Sequence, residues 1–378
     1  MNMPVLTTGP IHRQRGVTLV ELMVALVLGL LITGGVLQVF AANRASYEFN
    51  DGLSRLQENG RFALDTLNFR TRMAGYFGCV SEIPVINNLN GGVGSLAFDF
   101  GEAMRGFDAS GTAPGQTIAP TTSYPANSTA GTDWSPNLPA DLVGSALPTS
   151  DVLVIRNVSA ATHALVSPYN DSAQIFVDAT PDDYFEGEIG IVSDCQKASV
   201  FQMTNIDEGV AAGRINIAHA ASLTPGNQSP PSWSTDQQYG PGAELMRGET
   251  WIYYVGSPPG GGPPALMQQR LQRTSAAVAE LVEEELVSSV ETMQLLYGID
   301  AASDGAVDQY VTADAVGAGN WNQVVTVRVS LVMRSPEEYG AETDDRTYDV
   351  NGTIFDPFDD RRERHVFTTT VAVRNRLP

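Results

Sequence analysis

RGVTLVELMVALVLGLLITGGVLQVFAA, residues 15–42, decides how the rest of the chain is read. From Val17 to Ala42 only Thr18, Glu21, Thr33 and Gln38 interrupt a run of apolar or small residues. Wound as an α-helix at about 1.5 Å per residue, the run extends roughly 39 Å, more than a ~30 Å hydrocarbon core. It therefore reads as a single membrane-crossing helix. Glu21 is the anomaly, because an acid near the middle of a span costs ~2.5–3.5 kcal/mol on insertion scales and a plain anchor has no use for one.

The residues before the span set its orientation. Residues 1–16 are a polar leader carrying His12, Arg13 and Arg15. Basic residues beside a span hold that end in the cytoplasm, so everything after Ala42 is expected on the far side of the membrane. A conventional secretory signal, cut after Ala41 or Ala42, is the competing reading. It fits less well, since its apolar region is only ~7–15 residues long and carries no acid.

RGVTLVELMVALV resembles the class III signal of type IV prepilins and type II secretion pseudopilins. The resemblance implies that a membrane aspartic prepilin peptidase cuts after Gly16 and methylates the new N-terminus at Val17. Most members begin with phenylalanine at that position, so Val17 departs from the usual residue while keeping its apolar character. The same resemblance makes Glu21 the fifth mature residue and gives it an assembly role. Val17 and Glu21 are four apart and share a helix face, and the amine that starts one subunit would neutralise the carboxylate of its neighbour within the lipid. Such pairing offsets the desolvation an isolated charge suffers.

Beyond Ala42 the sequence turns polar, with Phe49, Leu53, Leu56, Ala63, Leu67 and Ala74 at helical intervals. This spacing predicts an amphipathic helix continuing the span and covering a globular domain with one face. Gly29, Gly34, Gly35, Gly52 and Gly60 each cost ~1 kcal/mol against alanine, so curvature or local melting is expected around Gly34 and Gly35. The chain accordingly divides into a leader (1–16), a membrane or filament-core helix (17–42), its amphipathic continuation (43–78) and a β-rich globular domain (79–378).

That domain has ordinary core-forming composition within a 378-residue chain that is 43% hydrophobic. The net charge is −21, and the leader contributes only positive charge, so the remainder is more acidic still. Such a field repels phosphate backbones and argues against nucleic-acid binding; solubility is its simplest meaning. The two cysteines, Cys79 and Cys195, are most simply one disulfide if the domain is exported, closing a loop worth ~4.7 kcal/mol in the chain-entropy model. Two reduced core cysteines are the alternative.

In order, residues 109–150 are dominated by Gly, Pro, Ser, Thr, Asn and Ala and read as a long loop or partly ordered insertion, with Tyr124 and Trp134 able to pin it. DVLVIRNVS (151–159) reads as a buried strand, GEIGIVSDCQKASVFQMTNI (187–206) as two strands around a turn holding Cys195, and ETWIYYVG (249–256) as another. A turn-rich stretch covers 223–242, and GSPPGGGPP (256–264) is a loop. AAVAELVEEELVSSVET (276–292) admits helix or strand. MQLLYGID, QVVTVRVSLVMRS and HVFTTTVAVRN alternate with period two, as in Val325, Val327, Val329, Leu331 and Met333, and predict an antiparallel sheet.

Several of these blocks extend the resemblance. AGYFGC (74–79), VSDC (192–195), LVSSVETMQLLYGID (286–300), NWNQVVTVRVSLVMRS (320–335) and VFTTTVAVRNR (366–376) are similar to the PilW-type minor pilins of type IV pili. Nothing comparable covers residues 81–150. The fold class implied is α+β: a pilin-like long N-terminal helix packed on an antiparallel β-sheet domain with long loop insertions. The function implied is that of a minor pilin in pilus initiation and the tip complex, with prepilin peptidase, other minor pilins, major pilin and the inner membrane as partners. A J-type minor pseudopilin of type II secretion is the nearest alternative. An adhesin or periplasmic enzyme using the leader only for export is a more distant one.

Catalytic signatures are missing. There is no HExxH, GxSxG or GxxxxGK[ST], and His163, His219 and His365 stand apart from one another in sequence. No enzyme activity and no cofactor are expected. Asp300, Asp304 and Asp308 form the best calcium candidate, although the run lacks EF-hand spacing and its terminal Glu. Glu337, Glu338, Glu342, Asp344 and Asp345 form a weaker one.

Overall fold

A computed structural model describes residues 16–78, 83–120, 125–171, 173–211, 214–228, 238–274, 277–340 and 342–376. The chain forms two compact units, the first ending at Asp51 and the second running Gly52–Pro378. Helix α1, Leu19–Arg72, contributes to both. It is one continuous helix through Gly29, Gly34 and Gly35 in the single chain; the curvature or local melting expected there concerned the assembled filament as well. The penalty of those glycines, ~1 kcal/mol each, is spread through a helix whose neighbouring Leu and Ala residues propagate it well.

The helix ends earlier than the expected position 78. After Arg72 the backbone tightens, with Met73 N–H on Arg70 O at 3.1 Å and Ala74 N–H on Thr71 O at 3.2 Å. Gly75 then takes a left-handed φ of 72°, the conformation for which glycine is favoured just past a helix. Its N–H donates to Arg156 O at 2.9 Å, which ties the helix exit to the sheet.

Within the second unit the strands follow in order: β1 Val85–Asn87, β2 Met104–Ala109, β3 Thr117–Ile118, β4 Trp134–Ser135, β5 Val152–Asp171, β6 Gln174–Val177 and β7 Ile189–Ser193. Next come β8 Ala198–Gln202, β9 Asn205–Ala211, β10 Arg214–Ala218, β11 Glu244–Gly256, β12 Ala265–Arg273 and β13 Ala279–Ser288. The C-terminal part holds β14 Val290–Ile299, β15 Gln309–Val311, the short helix α2 Ala313–Val316, β16 Val324–Arg334, β17 Tyr348–Val350, β18 Thr353–Phe355 and β19 Arg364–Ala372.

Three sheets result. The largest has the path β1-β8-β7-β11-β5-β6-β10-β9, with β12 and β13 added on β11, and β2 and β4 added on β5. A second sheet has the order β15-β14-β16-β19 and is antiparallel throughout, as the period-two alternation predicts. A small third sheet is β17-β18-β3. Among the described residues the parallel contacts are short: β1 with β8, β3 with β18, and the isolated bridge Thr224–Val278.

The second half of α1 buries Gly52, Leu56, Gly60, Ala63, Leu67 and Thr71, an interval of three or four each time. Leu56, Ala63 and Leu67 share one core with Met293 and Leu295 of β14 and Val327, Val329 and Leu331 of β16. A Cβ at Gly60 would collide with the ring of Phe367, so glycine is what lets helix and β19 approach. β16 is buried on its other face too, where Val332 meets Ile118, Val350 and Phe355 of the third sheet.

Two regions depart from the sequence reading or resolve it. The described residues of 109–150 form a cap: Trp134, Leu138, Leu142 and Ala146 share a core with Val152 and Val154 of β5 and Ile252 and Tyr254 of β11. Trp134 pins the segment as expected, donating Nε1–H to Ser150 O at 2.9 Å; Tyr124 lies outside the described residues. Within the ambiguous 276–292 stretch the structure is strand: β13 pairs with β12 along Ala279–Ser288, and β14 begins at Val290. Its glutamates 280, 284 and 285 are exposed, as suits a sheet rim that must not recruit another strand.

Candidate functional site

The first unit presents apolar surface with nothing covering it. From Leu19 onward α1 is the one helix among the described residues long and apolar enough to cross a membrane, and none of its most apolar window is buried. Leu22, Met23, Leu26, Val27, Leu30 and Leu31 are all exposed. Polar groups in this stretch are satisfied locally: Thr33 Oγ1–H donates to Gly29 O at 2.8 Å. That is what a low-dielectric surrounding requires of a hydroxyl. Charge returns with Arg44 and Glu48, paired at 2.9 Å one turn apart.

Glu21 sits in the first turn of this helix. Its Oε2 accepts Thr18 N–H at 3.0 Å and Thr18 Oγ1–H at 3.0 Å, while Glu21 N–H donates to Thr18 Oγ1 at 3.2 Å. Leu22 N–H closes the first intrahelical bond on Thr18 O at 3.2 Å. Thr18 and Glu21 thus form a capping box, in which N-cap and third helical residue satisfy each other's backbone donors. The T-x-x-E spacing in the sequence is the signal for it. The acid is therefore used within its own chain through one oxygen, and Oε1 takes none of these donors. Gly16 and Val17 precede the helix and belong to no helix or strand, and residues 1–15 of the leader lie outside the described residues.

The remaining candidate residues are scattered over the second unit. Cys195, in the turn between β7 and β8, is disulfide-bonded and takes a φ of 68°; Cys79 lies outside the described residues. Asp300 accepts the N–H groups of Asp304 and Gly305 at 3.1 and 2.8 Å. Asp308 Oδ2 accepts those of Ala301 and Ala302 at 2.8 and 3.2 Å, and Asp304 accepts that of Ala306 at 2.9 Å. The three carboxylates shape their own loop. No group of three His, Cys, Asp or Glu side chains is arranged to hold a metal ion among the described residues, so the geometry does not support calcium there. His163 meets Asp183 and Tyr184, far along the chain from His365, and no histidine lies in a nucleophile or metal arrangement.

Two buried charge clusters went unread in the sequence. Arg364 Nε lies 2.9 Å from Glu291 Oε2, and its Nη1 reaches Asp344 at 3.2 Å and Asp360 at 2.7 Å. Asp344, from the weaker calcium candidate, thus belongs to an ion-pair cluster. The second is a pair of carboxyls between sheets. Asp151 accepts Ala109 N–H of β2 at 2.9 Å and Leu295 N–H of β14 at 2.7 Å. Burial, and then the charge of Asp108, lift its pKa well above the usual carboxylate range. Burial lifts Asp108 to about 7, with Asp314 adding to the rise. The first cluster ties β14 to β19 within the second sheet, and Asp151 bridges β2 of the largest sheet to β14 of the second.

Two family models match the chain. Residues 11–37 match the prokaryotic N-terminal methylation motif, and residues 252–375 match the type IV pilus-assembly protein W family. The second match covers β12 to β19 with most of their connections, and begins inside β11. No curated protein and no solved structure matches the chain. The methylation motif falls on the exposed apolar helix with its capped Glu21, and the second match on the sheet against which that helix packs. Over these two stretches the chain is similar to the PilW-type pilus-assembly proteins of type IV pili and carries their kind of N-terminal methylation motif.

Proposed function

We propose that this protein acts in the initiation of type IV pilus assembly and in the tip complex, as a scaffold subunit without catalysis. The observation that carries this reading is the uncovered apolar length of α1 under a methylation motif, attached to a domain whose helix-packed sheet matches a pilus-assembly family. Prepilin peptidase cleaves after Gly16 and methylates Val17. The helix first holds the subunit in the inner membrane with the second unit in the periplasm, then packs among the helices of other minor pilins and major pilin. The amine of Val17 from one subunit meets Glu21 of the next, at the carboxylate oxygen that the capping box leaves unused. Cys195 pairs with Cys79.

Deleting the gene and scoring surface pili, twitching and type II secretion tests the reading. Loss of pili and twitching with normal secretion is expected; loss of secretion with normal pili would assign the protein to the pseudopilins instead. Mass spectrometry of the mature protein is expected to find N-methylated Val17 at its start and a Cys79–Cys195 linked peptide without reduction. A chain beginning near Asn43 would overturn the processing.

A further inference from the structure

One edge of β11 changes neighbour partway along. Glu244–Arg247 pair with Ser193–Gly190 of β7, and Trp251–Gly256 pair with Arg270–Ala265 of β12. Both partners lie on the edge opposite β5, since Glu244 and Trp251 each pair with β5 as well. Between them Gly248, Glu249 and Thr250 pair with Val158, Asn157 and Arg156 of β5, and among the described residues no strand pairs with them on the other side. A three-residue gap therefore opens inside the largest sheet, where β12 leaves β11 to continue with β13.

A cleft of about 440 Å³ lies at this gap, within the range of ligand sites, roughly 300–1,000 Å³. Its lining joins the backbone of Gly248–Thr250 to apolar Phe185, Ile189 and Leu271 and to the guanidiniums of Arg247, Arg270 and Arg273. Arg247 gives Nη1 to Glu188 at 3.3 Å. Arg273 gives Nε to Glu186 O at 2.6 Å and stands 5.5 Å from the Phe185 ring centre. Arg270 lies 4.0 Å from Glu284. Arg247 and Arg270 are 40% and 43% exposed, so both remain open to a further partner. The acids of the lining are Glu188 and Glu249, and Glu249 is already the acceptor for Arg70, Asn157 and Trp251. On a chain of net charge −21, three arginines around one gap make a local exception.

We propose that this cleft binds an extended peptide segment carrying a carboxylate side chain. The unpaired edge of β11 offers main-chain hydrogen bonds to an incoming strand, the general mode of strand addition. Guanidinium forks match carboxylate geometry and hold it by charge-assisted bonds. Alternate side chains of a strand point to opposite faces, so a peptide alternating apolar and acidic residues meets Ile189 and Leu271 with one set and Arg247 and Arg270 with the other, Arg273 lying on the face of Leu271. The site goes beyond the pilus reading, which stands or falls without it.

The test uses the full chain in detergent micelles and two acetylated, amidated pentapeptides, one alternating valine with glutamate and one alternating valine with glutamine. Binding is followed by calorimetry and by fluorescence, with Trp251 at the cleft wall. The glutamate peptide is expected to bind at least tenfold tighter than the glutamine peptide, and to weaken as salt rises. Arg247→Gln and Arg270→Gln are each expected to weaken it at least tenfold with unchanged unfolding temperature. Equal binding of the two peptides, no binding of either, or affinity unchanged by salt and by both substitutions would overturn the proposal. So would saturation by inorganic phosphate without peptide binding, which would mark a simple anion site.

Discussion

Arg364 on β19 places its Nε 2.9 Å from Oε2 of Glu291 on β14, with both side chains closed to solvent. Burial alone would favour the neutral acid, and it raises the pKa of Glu291 against the opposing charge of Arg364. Asp344 and Asp360 complete the guanidinium's partners. Removing one member of such a group strands the others, which costs about 3–5 kcal/mol. Arg364→Ala is expected to lose that much stability in urea unfolding. The double substitution Arg364→Met with Glu291→Leu is expected to lose less, because the buried carboxylate leaves with the guanidinium, Asp344 and Asp360 keep Arg346 and Arg362, and the remaining loss is that of Arg334, which gives up Glu291.

Gly60 and Phe367 set the distance between α1 and β19. Gly60→Leu improves helix propensity by about 1 kcal/mol, yet its side chain occupies the space of the Phe367 ring. Overpacking of this kind costs about 1–3 kcal/mol. A net loss of stability is expected by thermal unfolding. Combining it with Phe367→Ala is expected to cost less than the two single losses together, because the residues touch and their effects couple. Strict additivity would show that the helix and strand are not held apart by this pair.

The C-terminal sheet and the membrane helix were legible because each is encoded locally, one by alternation and the other by an unbroken apolar run. The cap at 109–150 was not. Trp134, Leu138, Leu142 and Ala146 fall four apart, but Pro136, Pro139 and Gly144 among them break the helix such spacing would suggest, and the four are ordered by a core that includes residues of β5 and β11. β13 was ambiguous because AELVEEELVS fits both periodicities until β12 supplies a partner. Arg364 and Glu291 lie 73 positions apart, so no window contains the pair. Glu21 was legible as an anomaly, whereas its capping partner Thr18 was plain in the T-x-x-E spacing and passed over.

Asp108 and Asp151 give stability a dependence on pH. Asp108 rises from the usual 3.8 to about 7 in the folded chain, chiefly through burial, and burial likewise lifts Asp151 well above the usual carboxylate range. A folded-state pKa above the unfolded one contributes stability below the unfolded value and loses it as pH rises through the folded one. Unfolding temperature is therefore expected to fall between about pH 4 and pH 7 on account of Asp108. The groups facing the pair are Asp314 on α2 and Tyr297 on β14, and neither supplies a compensating positive charge. Asp108→Asn is expected to flatten this slope, read as unfolding temperature against pH. A slope unchanged by the substitution would remove Asp108 as its source.

Glu21 has two separable uses, and one substitution series divides them. Its side chain caps the start of α1 through Thr18, a task glutamine also performs in capping boxes. Its charge is what pairing with a neighbouring Val17 amine requires. Glu21→Gln keeps the cap and removes the charge, whereas Glu21→Ala removes both, and Thr18→Ala breaks the cap while leaving the acid. If charge pairing drives assembly, Glu21→Gln and Glu21→Ala are expected to abolish co-purification with other pilins equally, with Thr18→Ala retaining most of it. Rescue by Glu21→Gln, together with failure of Thr18→Ala, would assign Glu21 to helix capping alone. Circular dichroism of each variant in micelles, read with the co-purification, separates a frayed helix from a lost ion pair.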